Sequence, residues 1–242
     1  VHALGRRAPV LGVTARPSRS AASGAAPRVV LTDIEGTTTS LSFVRDELFP
    51  LSRDRMPEFV AAHAHDPDVA AWLALVPGGA SDRVAPLQPL IDADVKHPAL
   101  KAIQGRIWRD AYERGELVSH VYDDVPAALR AWHRRGVKLA VFSSGSIEAQ
   151  RLLFSATEAG DLTTLFDAWF DPTTVGAKTL PASYELIASR LGVAAKDGLF
   201  LSDAEKELDA AAAAGWRTTQ VLREGVEHGS RHPTAGTFVD LL

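Results

Sequence analysis

The chain has no cysteine among its 242 residues. Disulfides, thiolate-bound metals and a cysteine nucleophile are thereby excluded, so a catalytic metal must take oxygen or histidine ligands. A positive excess is also missing: 26 Lys and Arg face 30 Asp and Glu, for a net charge of -4. Such a balance does not suit a protein built mainly to hold nucleic acid or an anionic membrane, and neither partner is expected. An anionic ligand therefore needs cations placed locally, or a metal. No segment approaches the ~18 consecutive apolar residues of a membrane span. Acids are absent from residues 1–27, which carry Arg6, Arg7, Arg16 and Arg19 among Ala, Ser, Gly and Pro. An arginine-rich, acid-free start can mark an organellar transit peptide. Without a clean amphipathic pattern, the expectation for 1–27 is a disordered N-terminal extension, or an upstream start.

What is present is ordinary for a globular protein: 46% hydrophobic and 23% charged residues. The length suits one core with a substantial insertion. Val29-Val30-Leu31-Thr32 is an apolar, β-branched run that stops at Asp33 and predicts a buried strand. Ile34–Ser40 is a polar turn containing Gly36. From Phe43 to about Gly115 the pattern is helical throughout, with Leu48, Leu51, Met56, Phe59 and Val60 at helical intervals. Pro67, Pro77-Gly78-Gly79 and Pro98 punctuate it. After Val121 strands and helices alternate: strands end at Ser143-Ser144 and Ser202-Asp203, a brief one surrounds Trp169, and Arg217–Leu222 is expected to be the last. This is the pattern of βαβ crossovers. The fold class expected is α/β, a Rossmann-like parallel sheet with helices on both faces. Residues 28–40 and 116–242 form its core, and 41–115 a helical lobe inserted after the first strand.

In an open parallel sheet, ligands bind beyond the carboxyl ends of the strands. Asp33, Ser143, Ser144 and Asp203 all fall there, and Lys178 lies in the loop after the strand around Trp169. Two nearby carboxylates repel unless a cation lies between them. An oxygen donor set favours a hard ion, Mg²⁺, held by Asp33 and Asp203, with the main-chain carbonyl of Glu35 as a further ligand. Asp33 is then an ionised nucleophile toward phosphorus, Lys178 offsets phosphoryl charge, and Ser143 and Ser144 donate hydrogen bonds. Glu35 is placed to protonate a leaving oxygen and later to activate water. Taken singly, each residue has a plainer reading. Asp33, Asp203 or the serine pair can cap the following helix, and Lys178 can be a solvated lysine. Their order along the chain, each at a strand end or its loop, favours the site. Gly176-Ala177-Lys178-Thr179 is not a phosphate-binding P-loop, since Ala177 replaces a required glycine. His63, His65, His97, His120, His133, His228 and His232 have no metal-ligand spacing and are expected on the surface.

With these residues in place, the chain resembles the haloacid dehalogenase superfamily, and within it the enolase-phosphatase (acireductone synthase) family of methionine salvage. The resemblance rests on Asp33-Ile34-Glu35-Gly36-Thr37-Thr38-Thr39 with Ser42-Phe43-Val44, and on Leu100–Trp108. It continues through Phe142–Gln150, Gly160-Asp161-Leu162 and Phe200-Leu201-Ser202-Asp203 with Glu207–Ala211. It implies a cap domain after the first strand and one Mg²⁺ at Asp33, Glu35 and Asp203. It also implies substrate contacts from Ser143, Ser144 and Lys178. The implied substrate is 2,3-diketo-5-methylthiopentyl-1-phosphate, a small phosphorylated diketone, enolised and then dephosphorylated by a cytoplasmic monomer. The family pattern has an acid where this chain has Leu180-Pro181, so the next helix must start differently. A phosphatase or phosphomutase for another small phosphate ester, or a non-catalytic module of the same fold, also remains open. Asp33→Asn is expected to abolish phosphate release while leaving circular dichroism unchanged, because an amide neither attacks phosphorus nor binds Mg²⁺ well. Activity above a few per cent of wild type would remove Asp33 as the nucleophile.

Overall fold

The computed structural model describes residues 26–76, 84–85, 87–93, 95, 97–229 and 231–241. Most of the expected extension over 1–27, and the breaker Pro77-Gly78-Gly79, lie outside the described residues. Six strands form one sheet: β1 (Val29–Thr32), β2 (Lys138–Phe142), β3 (Ala168–Phe170), β4 (Gly198–Ser202), β5 (Arg217–Val221) and β6 (Thr234–Ala235). Their order is β3-β2-β1-β4-β5-β6 and each neighbouring pair is parallel. Val29 pairs with Lys138 on one side and Gly198 on the other, so β1 is central and all four of its residues are buried. That is why β1 reads as a continuous apolar run rather than an alternating one. Strand β6 corrects the expectation that Arg217–Leu222 is last. Two residues are too few to leave a periodic trace.

Eleven helical stretches are described, one of them a π turn. The first six are α1 (Leu41–Phe43), the π turn Val44–Leu48, α2 (Phe49–Ala62), α3 (Pro67–Ala74), α4 (Gln88–Asp92) and α5 (Pro98–Glu113). The others are α6 (Asp124–Arg134), α7 (Ile147–Ser155), α8 (Pro172–Val175), α9 (Pro181–Leu191) and α10 (Glu205–Ala213). Short 3₁₀ turns accompany them. The expectation of helix throughout 43–115 is too broad. Among the described residues between Ala74 and Pro98, only Gln88–Asp92 is helical.

Both faces of the sheet are covered. Val29, Leu31, Phe142 and Phe200 pack on one face against Tyr184 and Ile187 of α9 and Leu208 of α10. Val30, Leu139 and Leu201 pack on the other against Leu129 and Trp132 of α6 and Phe238. The helices between Leu41 and Glu113 have a core of their own, in which Met56 and Phe59 meet Val69, Ile91, Ile103 and Ile107. Their first turns instead join the sheet side: Phe43, Val44 and Leu48 share a cluster with Ile34, Val141 and Phe154.

Helix α9 shows how the chain does without the acid expected near its start. Leu180 at the N-cap is exposed and makes no side-chain cap bond, while Pro181 opens the helix. A proline suits that position because its φ is already helical and the N–H it lacks would have no intrahelical partner. Gly192 closes the helix at φ 66°. Two other glycines separate space from strain. A Cβ on Gly198 would meet the Trp216 ring at 2.4 Å, whereas one on Gly105, inside α5, would meet nothing within 4 Å. Gly105→Ala is expected to stabilise by about 0.5–1 kcal/mol through the entropy of the unfolded chain. Gly198→Ala should cost about 1–3 kcal/mol by overpacking. Urea denaturation of both variants gives the comparison, and equal signs would contradict this packing.

Candidate active site

Three strand ends and two loops meet at the carboxyl edge of the sheet. Asp33 follows β1, its N–H donating to Leu201 O of the neighbouring strand at 2.9 Å. Its carboxylate is buried: Oδ1 accepts from Ile34 N at 2.7 Å, and Oδ2 lies 2.6 Å from Lys178 Nζ. Lys178 is buried as well, and its Nζ also lies 2.7 Å from Glu207 Oε2. Glu207 comes from the first turn of α10, which aims it back at the strand ends, and Ser202 Oγ donates to the same oxygen at 3.1 Å. The loop carrying Lys178 is tied from behind: Tyr184 OH donates to Lys178 O at 2.8 Å, and Ser183 Oγ to Ala177 O at 2.8 Å.

One ammonium thus stands between two carboxylates in a place with little water. Burial opposes the charged ammonium, but Asp33 and Glu207 outweigh it and hold the lysine above its ordinary pKa. Burial, with the charge of Asp33 adding to it, pushes the Glu207 carboxyl up, against the pull of Lys178. Asp203, after β4, is pushed up to about 6, first by burial and then by Asp33. A third carboxylate beside Asp33 with no cation of its own is electrostatically incomplete.

The turn after Asp33 is folded tightly against Asp203. Gly36 has φ 70°, and a Cβ there would fall 2.5 Å from Asp203 Oδ2, so only glycine lets the turn come this close. Thr37 Oγ1 accepts from Asp203 N at 3.0 Å. Arg223, after β5, donates to Thr37 O at 3.1 Å while gripping Asp124 with both terminal nitrogens at 2.9 and 3.0 Å.

Ser143 and Ser144 follow β2 and line a cavity of about 80 Å³ between the sheet edge and the helices of 41–113. Glu35 lines it too, as do Val44, Leu48 and Trp108 on the helical side. Neither serine caps α7: that helix is capped by Ser146, whose side chain accepts from Ala149 N at 3.2 Å.

The haloacid dehalogenase-like hydrolase family matches residues 27–215. The chain belongs to the haloacid dehalogenase-like hydrolases. Among curated proteins it is 50% identical over 218 residues to the enolase-phosphatase E1 of Methylococcus capsulatus, covering 87% of this chain and 96% of the relative. It is 52% identical over 225 residues to that of Sorangium cellulosum, covering 88% and 97%. Among solved structures, the UTR4 protein of Saccharomyces cerevisiae matches with TM-score 0.75 and 33% identity, over 87% of this chain and 98% of the other. The L-2-haloacid dehalogenase of Xanthobacter autotrophicus, at 19% identity and TM-score 0.54 over 89% and 96%, shares the fold.

Phosphatases among haloacid dehalogenase-like proteins use Mg²⁺, and the donor set here suits it. No three His, Cys, Asp or Glu side chains among the described residues form a metal cluster. Two carboxylates with main-chain oxygen and water are what an ion that dehydrates reluctantly accepts. Gly36 lets the turn after Asp33 pack directly against the Asp203 carboxylate, which keeps the two acids that would hold the ion on one side of the turn.

Of the residues singled out in the sequence, Asp33 and Lys178 are in direct contact, Asp203 interacts with Asp33 through charge, and Glu35, Ser143 and Ser144 share the cavity. Glu207 was not among the expected site residues. The signal available was an acid in the first turn of the helix that follows Asp203. The histidines need a correction. His65, His133 and His228 are exposed, but His232 is nearly buried between Asp209 Oδ1 and Thr218 Oγ1, at 3.0 and 2.8 Å. His120 is half-buried where the chain enters α1, its Nδ1 accepting from Ser40 N at 3.1 Å. His97 caps α5, and His63 Nδ1 lies 2.9 Å from Phe59 O. These partners lie on other elements or fold locally, and spacing alone does not expose them.

Lys178→Met removes the cation and leaves two buried carboxylates facing each other. The loss should be about 3–5 kcal/mol, the cost of breaking a buried pair. Without the ammonium the folded-state pKa of Glu207, already raised by burial and Asp33, rises further above its unfolded value, so folded protein holds the extra proton and is penalised as pH rises. The stability deficit against wild type is therefore expected to be larger at pH 8 than at pH 5 in urea titrations. A deficit independent of pH would contradict the charge arrangement.

Proposed function

We infer that this chain is an enolase-phosphatase. It converts 2,3-diketo-5-methylthiopentyl-1-phosphate to the acireductone 1,2-dihydroxy-3-keto-5-methylthiopentene and phosphate, in methionine salvage. The observation that carries the reading is the buried Asp33–Lys178–Glu207 array at the carboxyl edge of the sheet, where Ser143, Ser144 and Glu35 from the same edge line a cavity roofed by helices. The helices of 41–115 act as a cap that excludes water from the reaction, the core being 28–40 and 116–242.

In the phosphatase half, the Asp33 carboxylate attacks phosphorus in line and an aspartyl-phosphate forms as the ester P–O bond breaks. Glu35 delivers a proton to the departing oxygen, then takes one from the water that hydrolyses the acyl phosphate. Lys178 fixes the attacking carboxylate and offsets the charge gathering on the phosphoryl oxygens. Ser143 and Ser144 donate to those oxygens by hydroxyl or main-chain N–H. One Mg²⁺ per chain, held by Asp33, Asp203 and the carbonyl of Glu35, supplies the further positive charge that lets an anionic ester approach a carboxylate. Burial and the charge of Asp33 hold the Asp203 carboxyl up at about 6, and a cation beside it would relieve that repulsion.

We take the protein to be a cytoplasmic monomer acting on a small molecule. The net charge of -4 offers no general attraction for nucleic acid, and no helix among the described residues is long and apolar enough to cross a membrane. Supplied with the diketone phosphate and Mg²⁺, the enzyme is expected to release phosphate and produce the enediol ultraviolet band, and a chelator should abolish both. Phosphate release with no enediol band would reject the enolase half, and higher kcat/KM on a panel of sugar phosphates would replace the substrate.

A further inference from the structure

Enolisation places a negative charge that the Asp33–Lys178–Glu207 array is poorly placed to meet. When the proton leaves C1 of the diketone phosphate, the C1=C2 bond forms and the C2 carbonyl pair moves onto oxygen. An oxyanion developing in a cavity poor in water needs a donor aimed at it. Lys178 is already committed to two carboxylates below the phosphate position, at 2.6 and 2.7 Å. The next cation must come from the other wall.

Among the described residues lining the cavity there is one cation, Lys101, and one carboxylate, Glu35. Lys101 lies in the first turns of α5, on the helical roof, and reaches across to the core: its Nζ donates to Ser144 O at 2.9 Å. Ser144 is one of the residues taken above to hold the phosphate, so this ammonium stands beside the phosphate position, on the roof side of the cavity. C2 is separated from phosphorus only by the ester oxygen and C1. Val44, Leu48 and Trp108 line the same cavity from the roof.

We propose that Lys101 is a catalytic residue of the enolisation step, its ammonium donating to the C2 oxygen as the enolate forms. The proton from C1 goes to a carboxylate in the cavity, and the C2 oxygen takes one from Lys101, which is reprotonated through water. The step is therefore a net 1,3 proton shift with no other reactant. An ammonium has three donors, so bonds to protein, that to Ser144 O among them, can coexist with one to substrate. The same contact couples catalysis to closure, because only a roof seated on the core brings Lys101 to the substrate. This assignment rests on the enolase-phosphatase reading.

The duller account is a clasp: Lys101 holds roof to core, as the exposed Arg109–Glu148 pair between α5 and α7 also does. The two accounts differ in which substrate suffers. With the full-length Mg²⁺-loaded enzyme, Lys101→Met should lower enediol formation from the diketone phosphate by about 10²–10³-fold, the loss usual for one oxyanion donor. Hydrolysis of phenyl phosphate, which has no carbonyl to enolise, should fall far less, by under about tenfold. Lys101→Arg, which restores a cationic donor, should recover part of the enediol rate. Equal losses on both substrates, or a wild-type enediol rate in Lys101→Met, would overturn the assignment. Wild-type enzyme that hydrolyses phenyl phosphate yet forms no enediol from the diketone would overturn the enolase-phosphatase reading itself, and this inference with it.

Discussion

One buried ammonium between two carboxylates organises this protein. Taking Lys178, Asp33 and Glu207 out of water costs several kcal/mol per ion before any attraction is counted. The surrounding structure offsets that cost with geometry: salt-bridge contacts of 2.6 and 2.7 Å, a serine on Glu207 and a main-chain N–H on Asp33. Each group arrives from a different element. Asp33 comes from the central strand, Glu207 from the first turn of α10, and Lys178 from a loop held by Tyr184 and Ser183 of α9. The parallel sheet serves mainly to bring those elements to one edge in register.

Around that array the chain leaves electrostatic work unfinished. Asp203 sits against the turn of Gly36 with a raised pKa and no ammonium of its own. A site completed by its own charges would be stable but inert. This one retains a negative excess that a divalent ion can balance, which lets an anionic phosphoryl group approach. The turn between Asp33 and Ser40 has a second task, since α1 and the roof helices begin immediately after it. Arg223 pins it from the core side through Thr37 O, and His120 receives Ser40 N at its far end. The nucleophile and the entrance to the roof thus share one braced segment.

Much of this was legible along the chain. The run Val29–Thr32 ending in Asp33 announces a buried strand with an acid at its tip, because a central parallel strand is apolar on both faces. The same logic located Ser143 and Asp203, and glycines at helix ends set the boundaries. Leu180-Pro181 showed that a helix start would be built without an acid. The lone two-residue strand β6 and the short helix α4 were not legible, being shorter than any period that could reveal them. The partly buried histidines were misjudged because burial depends on neighbours remote in sequence, as with His232 and Asp209.

Sequence alone determined the strand-and-helix order, the tips on which Asp33, Ser143 and Asp203 stand, and the exclusion of thiol chemistry. These follow from local pattern and residue type, which need no knowledge of distant partners. Only the tertiary structure decided that Lys178 is shared with Glu207, that Arg223 supports the turn, and that Lys101 crosses from the roof to Ser144, 43 residues away. The physical reason is that charge acts through space: a lysine's role is set by the carboxylates and carbonyls folded around it, and chain order does not encode those distances.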